Sequence, residues 1–208
     1  EVLAAYEPLG IIPGQEYNPE NVKIDGKKFR EVAQQIQSEY LGKLTNPNLI
    51  KTMAPKMFKT KGLTDLETIL TVSIIGPIGL PMEEAMYPNV TSETGEPLNA
   101  LNDYVVKMTK EQLPPDQAFW SLTLYDKANG FFIPNDRKKY SVGENGGYKI
   151  NADGGIEIYI AEEKPSGVPE ENWLPIERKD EEIDLILRVY VPDLAKMETW
   201  EAPKAEKL

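Results

Sequence analysis

The sequence of 208 residues contains no cysteine and no histidine. Without cysteine there are no disulfides, thiolate nucleophiles or iron-sulfur clusters. Without histidine there is no Ser-His-Asp or Cys-His catalysis, and no imidazole ligand for zinc, copper or iron. The chemistry that remains rests on carboxylate, hydroxyl, lysine, tyrosine and arginine side chains, so we expect neither a cofactor nor a metal centre.

Long hydrophobic runs are also missing. The longest apolar stretch covers residues 74–80 and is broken by Gly76, Pro77 and Gly79, far short of the roughly 20 residues that span a bilayer. We therefore predict no transmembrane segment. Because residue 1 is Glu rather than Met, we interpret the chain as a processed mature form or an excised piece. The expected location is periplasmic or extracellular after removal of a targeting segment, with an organelle lumen or a virion as alternatives.

Acidic residues outnumber basic residues in this sequence. The chain has 34 acidic and 23 basic residues, a net charge of −11 and a pI near 4.7, so binding to nucleic acid or to an anionic membrane is not expected. The charges are unevenly distributed: residues 162–184 carry nine acids, whereas the segment 43–61 has none. The lysines of that segment are Lys43, Lys51, Lys56, Lys59 and Lys61. They form either a solvated face or a surface that docks on acidic residues of this chain or of a partner copy.

The first hundred residues have helical periodicity. One stripe with helical spacing predicts a helix that packs one face, with Asp25 as its N-cap and Gly42 just past its end. The residues of this stripe are Phe29, Val32, Ala33, Ile36 and Tyr40.

A second helix is predicted after Leu63, where Thr64 and Glu67 have the spacing of a capping box. Its expected apolar face consists of Leu66, Ile69, Leu70 and Ile74. The β-branched run 68–75 is also compatible with a strand.

After about Leu98 the periodicity changes to the alternation of β-strands. Alternating patterns cover residues 104–108, 119–125 and 183–191, and Asn151 to Gly155 indicates a hairpin turn between 148–150 and 156–160. Helices followed by strands predict an α+β protein, with an N-terminal helical segment over residues 1–97 packed on an antiparallel, jelly-roll-like β-sandwich over 98–208.

Six motifs in the second half carry a family resemblance. They are Ala118–Asp126, Gly130-Phe-Phe with Asn135, Tyr140–Gly143, Asn151–Gly154, Asn172–Pro175 and Leu185–Tyr190. Over about residues 98–203 the chain resembles the domain of unknown function 1214, and two upstream motifs, at residues 9–14 and 83–88, resemble the segment that precedes that domain in its relatives. Many relatives carry a further domain, of unknown function 1254, toward the N-terminus, and we expect no counterpart of it in this sequence.

The resemblance implies a jelly-roll-like sandwich and a family of bacterial exported proteins that also occurs in large DNA viruses of algae. It implies no general activity, although hydrolysis of small molecules is suggested for some members. One motif departs from the family pattern, in which an arginine directly precedes the tyrosine. Here Lys138 and Lys139 separate Arg137 from Tyr140, so the role of that arginine does not carry over directly.

Aromatic and polar residues of these motifs form our candidate ligand-binding set. The set consists of Trp120, Tyr125, Asn135, Arg137, Tyr140, Trp173, Arg188 and Tyr190. Arg188 lies in an otherwise apolar strand, where a guanidinium needs a partner. It could hold a carboxylate or phosphate beside a wall of aromatic rings. Alternatively it forms an internal salt bridge, for instance with Asp126 or Asp184, while the aromatics fill the core.

Two classes of function therefore remain, and the catalytic residues are unknown. The first is a non-catalytic binding or assembly module that packs in a homo-oligomer or a larger complex. The second is a small-molecule hydrolase or ligand-binding enzyme with a pocket of aromatic residues and arginine. A serine mechanism is disfavoured because Ser121 lies mid-strand without a Gly-x-Ser-x-Gly motif and without a histidine.

Overall fold

The computed structural model describes residues 2–44, 52–60, 62–76 and 78–208. The chain divides into two compact units. The N-terminal unit comprises Glu1–Pro55 and Asp65–Pro77, and the β unit comprises Lys56–Thr64 and Ile78–Leu208. Within the described ranges no helix combines the length and the apolar character needed to cross a membrane.

The first helix of the N-terminal unit, α1, covers Gly26–Leu44. Its predicted N-cap is confirmed, because Asp25 Oδ1 accepts hydrogen bonds from the backbone N–H groups of Lys27 and Lys28 at 2.8 and 3.2 Å. The helix runs through Gly42 to Leu44, whereas the prediction ended it just before Gly42. The apolar stripe forms, but Phe29 and Ile36 remain 48% and 43% exposed.

The second helix, α2, covers Leu66–Ile75, so the helical interpretation of this segment is confirmed over the strand alternative. Asp65 rather than Thr64 is the N-cap, and its side chain accepts a hydrogen bond from Thr68 N. The predicted packing face is wrong: Thr68 and Thr71 are buried, whereas Leu66 is 66% exposed. Burial of Thr71 is tolerated because its hydroxyl donates to Glu67 O at 2.9 Å, within the helix.

The β unit contains ten short or medium strands and a one-turn helix, α3, at Leu194–Met197. The strands are β1 Ala85–Met86, β2 Asn89–Val90, β3 Leu98–Asn99, β4 Tyr104–Met108, β5 Asp116–Asp126, β6 Ser141–Gly143, β7 Ile156–Ala161, β8 Trp173–Pro175, β9 Glu182–Pro192 and β10 Ala205–Lys207. The 3₁₀ helices within the described residues are Val2–Leu9, Pro19–Asn21, Ala54–Lys56, Lys110–Gln112, Glu144–Gly146 and Glu170–Asn172.

The strands form two sheets. Sheet 1 has the order β1-β9-β5-β6, with β2 and β3 also paired to β9, and sheet 2 has the order β10-β4-β7-β8. All pairings are antiparallel except β7 with β8. One hydrophobic core takes side chains from both sheets, among them Trp120 and Leu187 of sheet 1 and Ile158 of sheet 2.

The longest strands, β5 and β9, pair with each other in the middle of sheet 1. Their register runs from Phe119 opposite Tyr190 to Asp126 opposite Ile183, beyond a bulge between Asp116 and Phe119. Alternate residues of β9 are buried in the core, and so are Trp120, Leu122 and Leu124 of β5, as the two-residue periodicity predicts. Thr123, on the opposite side of β5, is buried as well. Val191 breaks the pattern: it is 44% exposed and has a φ of +50°.

The side chain of Asn172 connects the irregular segment around Lys149 to β7 of sheet 2. Its buried side-chain amide accepts from Lys149 N at 2.7 Å and donates to the carbonyl oxygens of Lys149 and Glu157 at 2.8 and 2.9 Å. The amide therefore hydrogen-bonds with the backbone as a neighbouring strand would.

The predicted hairpin is only half present: the turn at Asn151 to Gly155 forms, with Gly154 at a φ of +86°, but residues 148–150 are not a strand.

The predicted α+β class is confirmed, with antiparallel and mixed sheets. Strands β1 and β2 already precede Leu98, where we expected the sandwich to begin. The boundary at residues 97 and 98 stays a prediction, as does the jelly-roll connectivity.

Gly143 permits close contact between β6 and β5. A Cβ atom at this position would lie 2.6 Å from Trp120 O and 2.8 Å from Ser121 Cβ. We predict that Gly143→Ala lowers the free energy of unfolding by about 2 kcal/mol, since one strand must shift. Gly146→Ala is the matched control, because nothing lies within 4 Å of its Cβ position, and we expect a change below about 0.5 kcal/mol. Urea unfolding measures both; equal midpoints for the two variants would contradict the close contact.

Candidate functional site

The candidate site lies on the outer face of sheet 1, which we define as the face of β5 and β9 turned away from the shared core. Directly opposed residues of antiparallel strands point to the same side. The register therefore places four pairs on this face: Phe119 with Tyr190, Ser121 with Arg188, Thr123 with Ile186, and Tyr125 with Asp184.

Arg188 has an unusual environment for a half-buried arginine. Its Nη2 donates to the hydroxyl of Tyr125, and its guanidinium carbon lies 5.2 Å from the centroid of the Tyr125 ring. Its Nη1 is buried and has no hydrogen-bond partner among the residues that the structure describes. Leaving such a donor unpaired costs about 1–3 kcal/mol, so an acceptor that reached this atom would be stabilised there.

The internal salt bridge considered above does not form. Asp126 instead accepts from Ala128 N at 2.8 Å and from Asn129 Nδ2 at 2.5 Å within its own turn, and the Asn129 bond is the first cause of its lowered pKa. Asp184 lies four residues from Arg188 on the same face, about 13 Å along the strand. Burial raises the pKa of Asp184. No ion pair within the described part of the chain includes Arg188.

Three aromatic side chains continue from Arg188 toward the β5–β6 loop. The Phe132 ring stacks on Tyr125 at 5.3 Å and on Tyr140 at 4.9 Å between centroids. The turn at Asp126 holds Phe132 in place, because Asp126 N donates to Phe131 O at 2.9 Å and Phe132 forms a β-bridge with Tyr125. The row Tyr125, Phe132, Tyr140 is thus attached to the sheet rather than to a free loop.

A second aromatic pair borders Arg188 on the other side. Phe119 and Tyr190 stack with centroids 4.3 Å apart and planes 24° apart. Between the two aromatic groups lies Ser121, half-buried and directly across from Arg188, with Gly143 as its neighbour on β6. The register also places Thr123 and Ile186 on this face, between Ser121 and Tyr125, and the guanidinium itself lies over the Tyr125 ring.

The register places Tyr125, Arg188 and Tyr190 on the outer face of sheet 1, and Tyr140 is connected to them through its stacking on Phe132. The other candidates lie elsewhere in the β unit. Trp120 and Trp173 are 1% and 4% exposed, and Trp120 belongs to the hydrophobic core.

Asn135 and Arg137 have structural contacts of their own. The Asn135 side chain closes a loop on the backbone of Lys139. Arg137 pairs with Glu170 at 2.8 Å and lies 4.7 Å from the Trp173 ring centroid.

Sequence reasoning missed Phe119, Ser121 and Phe132 as members of this face. The alternation of β5 puts Phe119, Ser121 and Tyr125 on one side and Trp120 on the other. If this alternation had been applied to the candidate set, Phe119 would have taken the place of Trp120. Phe132 carries no such signal because it lies in a loop.

A polar pocket of about 210 Å³ opens at the edge of β9, between β2 and β3. Asp184, Lys127, Asn89 and Ser92 contribute to its lining. None of our candidate ligand-binding residues lines it. Among the described residues no three acidic side chains converge as a metal site would need.

The charged segments are largely paired locally. In the acidic region, Arg178 binds Asp103 and Glu162, while Lys127 pairs with Glu182 at 2.6 Å. In the basic segment, Lys59 pairs with Glu83 at 2.5 Å. Lys51 and Lys61 lie outside the described residues, so docking by the whole basic segment stays a prediction.

Comparison with known proteins identifies the family. The profile of the family "Protein of unknown function (DUF1214)" matches residues 84–194, just over half of the sequence. The chain belongs to this family. The family-matching part contains β1 to β9, and therefore all of the candidate residues on the outer face of sheet 1.

Solved structures support the fold alone. The chain is similar to the VPA0106 protein from Vibrio parahaemolyticus, with a TM-score of 0.65 and 23% identity, over 99% of this chain and 50% of that chain. It thus spans about half the length of that relative. An uncharacterised protein from Burkholderia cenocepacia matches with a TM-score of 0.35 and 13% identity, over 85% of this chain and 51% of that chain. No curated protein matches the sequence.

Tyr148, whose ring stacks on Trp120 at 5.1 Å between centroids, gives a testable pH dependence. Burial, followed by the nearby Glu144 carboxylate, raises the pKa of Tyr148 to about 12. The folded state therefore favours the neutral phenol, and this stabilisation is complete below the unfolded pKa of about 10 and is lost as the pH rises through about 12. We predict that the stability advantage of the native chain over Tyr148→Phe decreases across this window.

Chemical unfolding measures the difference in stability between the native chain and Tyr148→Phe. The measurements cover pH values from about 9 to 11.5, below and within the expected transition. The phenylalanine variant keeps the stacked ring and loses only the titrating hydroxyl, so it is its own control for packing. A difference that stays constant over the whole range would show that Tyr148 titrates normally.

Proposed function

We propose that this protein is a non-catalytic binding module that holds a ligand on the outer face of sheet 1, with Arg188 as the anchor. The observation that carries the proposal is the buried, unpartnered Nη1 of Arg188. An arginine whose role is structural normally uses its donors on carboxylates or carbonyl oxygens. Here the guanidinium is oriented by one tyrosine hydroxyl, and its other amino group has no acceptor in the described part of the chain.

Binding is favoured over catalysis by the groups that face Arg188. Ser121 is the hydroxyl across the sheet, and activation of a serine requires an adjacent base. Asp184 is about 13 Å along the strand, too far to activate it, and the chain has no histidine. The alternative, a small-molecule hydrolase, remains as an outcome of the experiment below.

Native mass spectrometry of the purified full chain tests the binding proposal, followed by a thermal-shift screen of small metabolites. We expect a bound or stabilising small molecule whose affinity falls at least tenfold in Arg188→Met, since a charged hydrogen bond contributes about 1.5–3 kcal/mol. Arg137→Met is the matched control, because Arg137 also lies over an aromatic ring but pairs with Glu170. Ligands that Arg188→Met retains, or no ligand in either screen, would contradict the proposal. Turnover of the ligand would favour the hydrolase.

We further propose that the module assembles with a second copy of itself through the apolar stripe of α1. The exposure of Phe29, Val32 and Ile36, each above 40%, supports this, since such a stripe on a helix is normally covered. Docking of the oppositely charged segments is a weaker contribution, because these charges are largely paired within the chain.

For the assembly, we predict that Ile36→Glu weakens self-association at least tenfold, because it places a charge in an apolar contact. Gln34→Glu adds the same charge about 160° away on the helix and should have little effect. Light scattering at low and high salt measures both. Association through an apolar stripe should persist in high salt, whereas docking of charged segments should weaken. A native chain that is monomeric at micromolar concentration in both conditions would contradict the assembly.

For the fold of the β unit, we propose the jelly-roll-like sandwich that the family resemblance implies. Two features support it. The two sheets contribute to one core, and the chain passes between them several times, with β4 in sheet 2, β5 and β6 in sheet 1, β7 and β8 in sheet 2, and β9 in sheet 1.

A further inference from the structure

We infer that the polar pocket at the edge of β9 binds a small polar primary amine as its ammonium ion, which donates a hydrogen bond to the carboxylate of Asp184. This site is separate from the one proposed around Arg188, which lies about 13 Å along the same strand. Each of the two proposals can therefore fail without the other.

The pocket exists because the chain leaves the edge of β9 and returns to it two residues farther along. Strand β2 pairs with β9 as far as Leu185, and β3 resumes the pairing at Ile183. The intervening loop, residues 91–97, supplies much of the pocket wall. Asp184 therefore lies where the edge of β9 opens onto a cavity of about 210 Å³.

Hydrogen bonds hold this loop in place. Its backbone is attached to β10, because Ala205 N donates to Thr91 O at 3.0 Å and Glu93 N donates to Ala205 O at 3.2 Å. Within the loop, the Ser92 hydroxyl donates to Glu96 O at 2.5 Å. The wall is thus formed before a ligand arrives, which lowers the ordering cost of binding.

Asp184 is a half-buried acid of this pocket without a partner. Its carboxylate makes no hydrogen bond or ion pair within the described part of the chain. Among the described residues, the one unpartnered polar side-chain atom that is sealed from solvent is Arg188 Nη1, so the oxygens of Asp184 stay accessible. A cation that entered the pocket would offset the burial of this carboxylate.

The charges around the pocket favour a cation. Asp184 and Glu96 line it, and the lysine in the lining, Lys127, already pairs with Glu182 at 2.6 Å. The excess of negative charge attracts a cation and repels a carboxylate. A metal ion is disfavoured, because calcium takes six or more oxygen ligands and no three acidic side chains converge in the part of the chain that the structure describes.

The hydrogen-bonding groups of the pocket favour a ligand that is rich in donors. The Ser92 hydroxyl gives its one proton to Glu96 O, so toward a ligand it can only accept. The ionised carboxylate of Asp184 also only accepts. A primary ammonium has three N–H donors for such a lining, whereas a quaternary ammonium has none.

The volume of the cavity limits the ligand to a small molecule. About 210 Å³ holds about seven water-sized groups, at about 30 Å³ each, and drug-sized sites begin at about 300 Å³. Asn89, Thr91 and Ser92 make much of the lining polar, so a short skeleton with hydroxyl groups fits better than a hydrocarbon.

NMR titration of the isotope-labelled full chain with 3-amino-1,2-propanediol tests the inference. Glycerol is the matched neutral probe, because a hydroxyl replaces the ammonium. Choline is a cation without N–H donors, serine adds a carboxylate, and Ca²⁺ tests the metal alternative. We expect the amine to bind in the millimolar range and to shift the amide signals of Asp184 and of residues 91–97.

Glycerol and choline should bind at least tenfold more weakly than the amine, as for loss of a charged hydrogen bond. Serine should also bind more weakly, because its carboxylate is repelled. Equal binding of glycerol or choline, tighter binding of serine or Ca²⁺, or no amine binding up to about 20 mM, weaker than a millimolar site, would overturn the inference. So would shifts confined to residues away from the pocket.

Variants then locate the ammonium. Asp184→Asn keeps the shape of the side chain and removes its charge, so amine binding should fall at least tenfold. Glu93→Gln is the matched control, because it removes one charge from the same loop and Glu93 does not line the pocket. Arg188→Met should leave amine binding unchanged, which separates this site from the proposed one. Amine binding that persists in Asp184→Asn, or that falls equally in Glu93→Gln, would contradict the inference.

The amide spectrum of each variant shows whether it folds. If Asp184→Asn does not fold, Glu96→Gln provides the second test, since it removes the other negative charge of the lining. Amine binding should then fall about threefold, and glycerol binding should not change. Unchanged amine binding in Glu96→Gln would argue against an electrostatic preference for the cation.

Discussion

The pairing of β5 with β9 determines most of what the β unit can do. Its register has two consequences, because each strand has two faces. One set of alternate residues, including Leu122 and Leu187, enters the core that the two sheets share. The other set places Ser121 opposite Arg188 and Tyr125 opposite Asp184. A slip by one residue would expose the core and bury the polar face at the same time, so packing and the candidate site are selected together.

A site on the face of a paired strand differs physically from one built on loops. The neighbours of Arg188 along β9, Leu187 and Val189, are fully buried, so the backbone that carries the guanidinium is held on its opposite side by the core. The tyrosine that orients the guanidinium belongs to the adjacent strand. Ligand binding there would cost little ordering of the protein, which is the advantage of a preorganised site.

The sequence predicts the parts of this structure that depend on long periodic patterns. Alternation located β5 and β9, and the spacing of apolar residues located α1. Short elements could not be predicted in this way, since strands of two residues such as β1 have no periodicity. At α2, Thr64 and Asp65 are both good N-cap residues, so the pattern fixed the start only to within one position.

For the candidate site, too, local sequence patterns predict some features and tertiary contacts determine the others. Arg188 is recognisable from the sequence as an unusual residue within an apolar strand, Tyr125 belongs to the candidate set, and the alternation of β5 contains enough information to exclude Trp120 from their face. That Arg188 faces Ser121 could not be known, because register depends on how two distant segments align. The attachment of residues 149 and 157 through Asn172 likewise depends on a tertiary hydrogen-bond pattern that no local spacing predicts.

The edge of β9 has a further consequence for the behaviour of the protein at high concentration. Three separate strands of two residues each, β1, β2 and β3, cover this edge in succession. A long continuous edge strand offers its unpaired backbone groups to other chains and promotes aggregation. Here the outermost positions are interrupted by loops every few residues, so a second polypeptide finds no extended row of amides with which to pair. The irregular first part of the β unit thus protects the most regular strand of the fold against fibre-like growth.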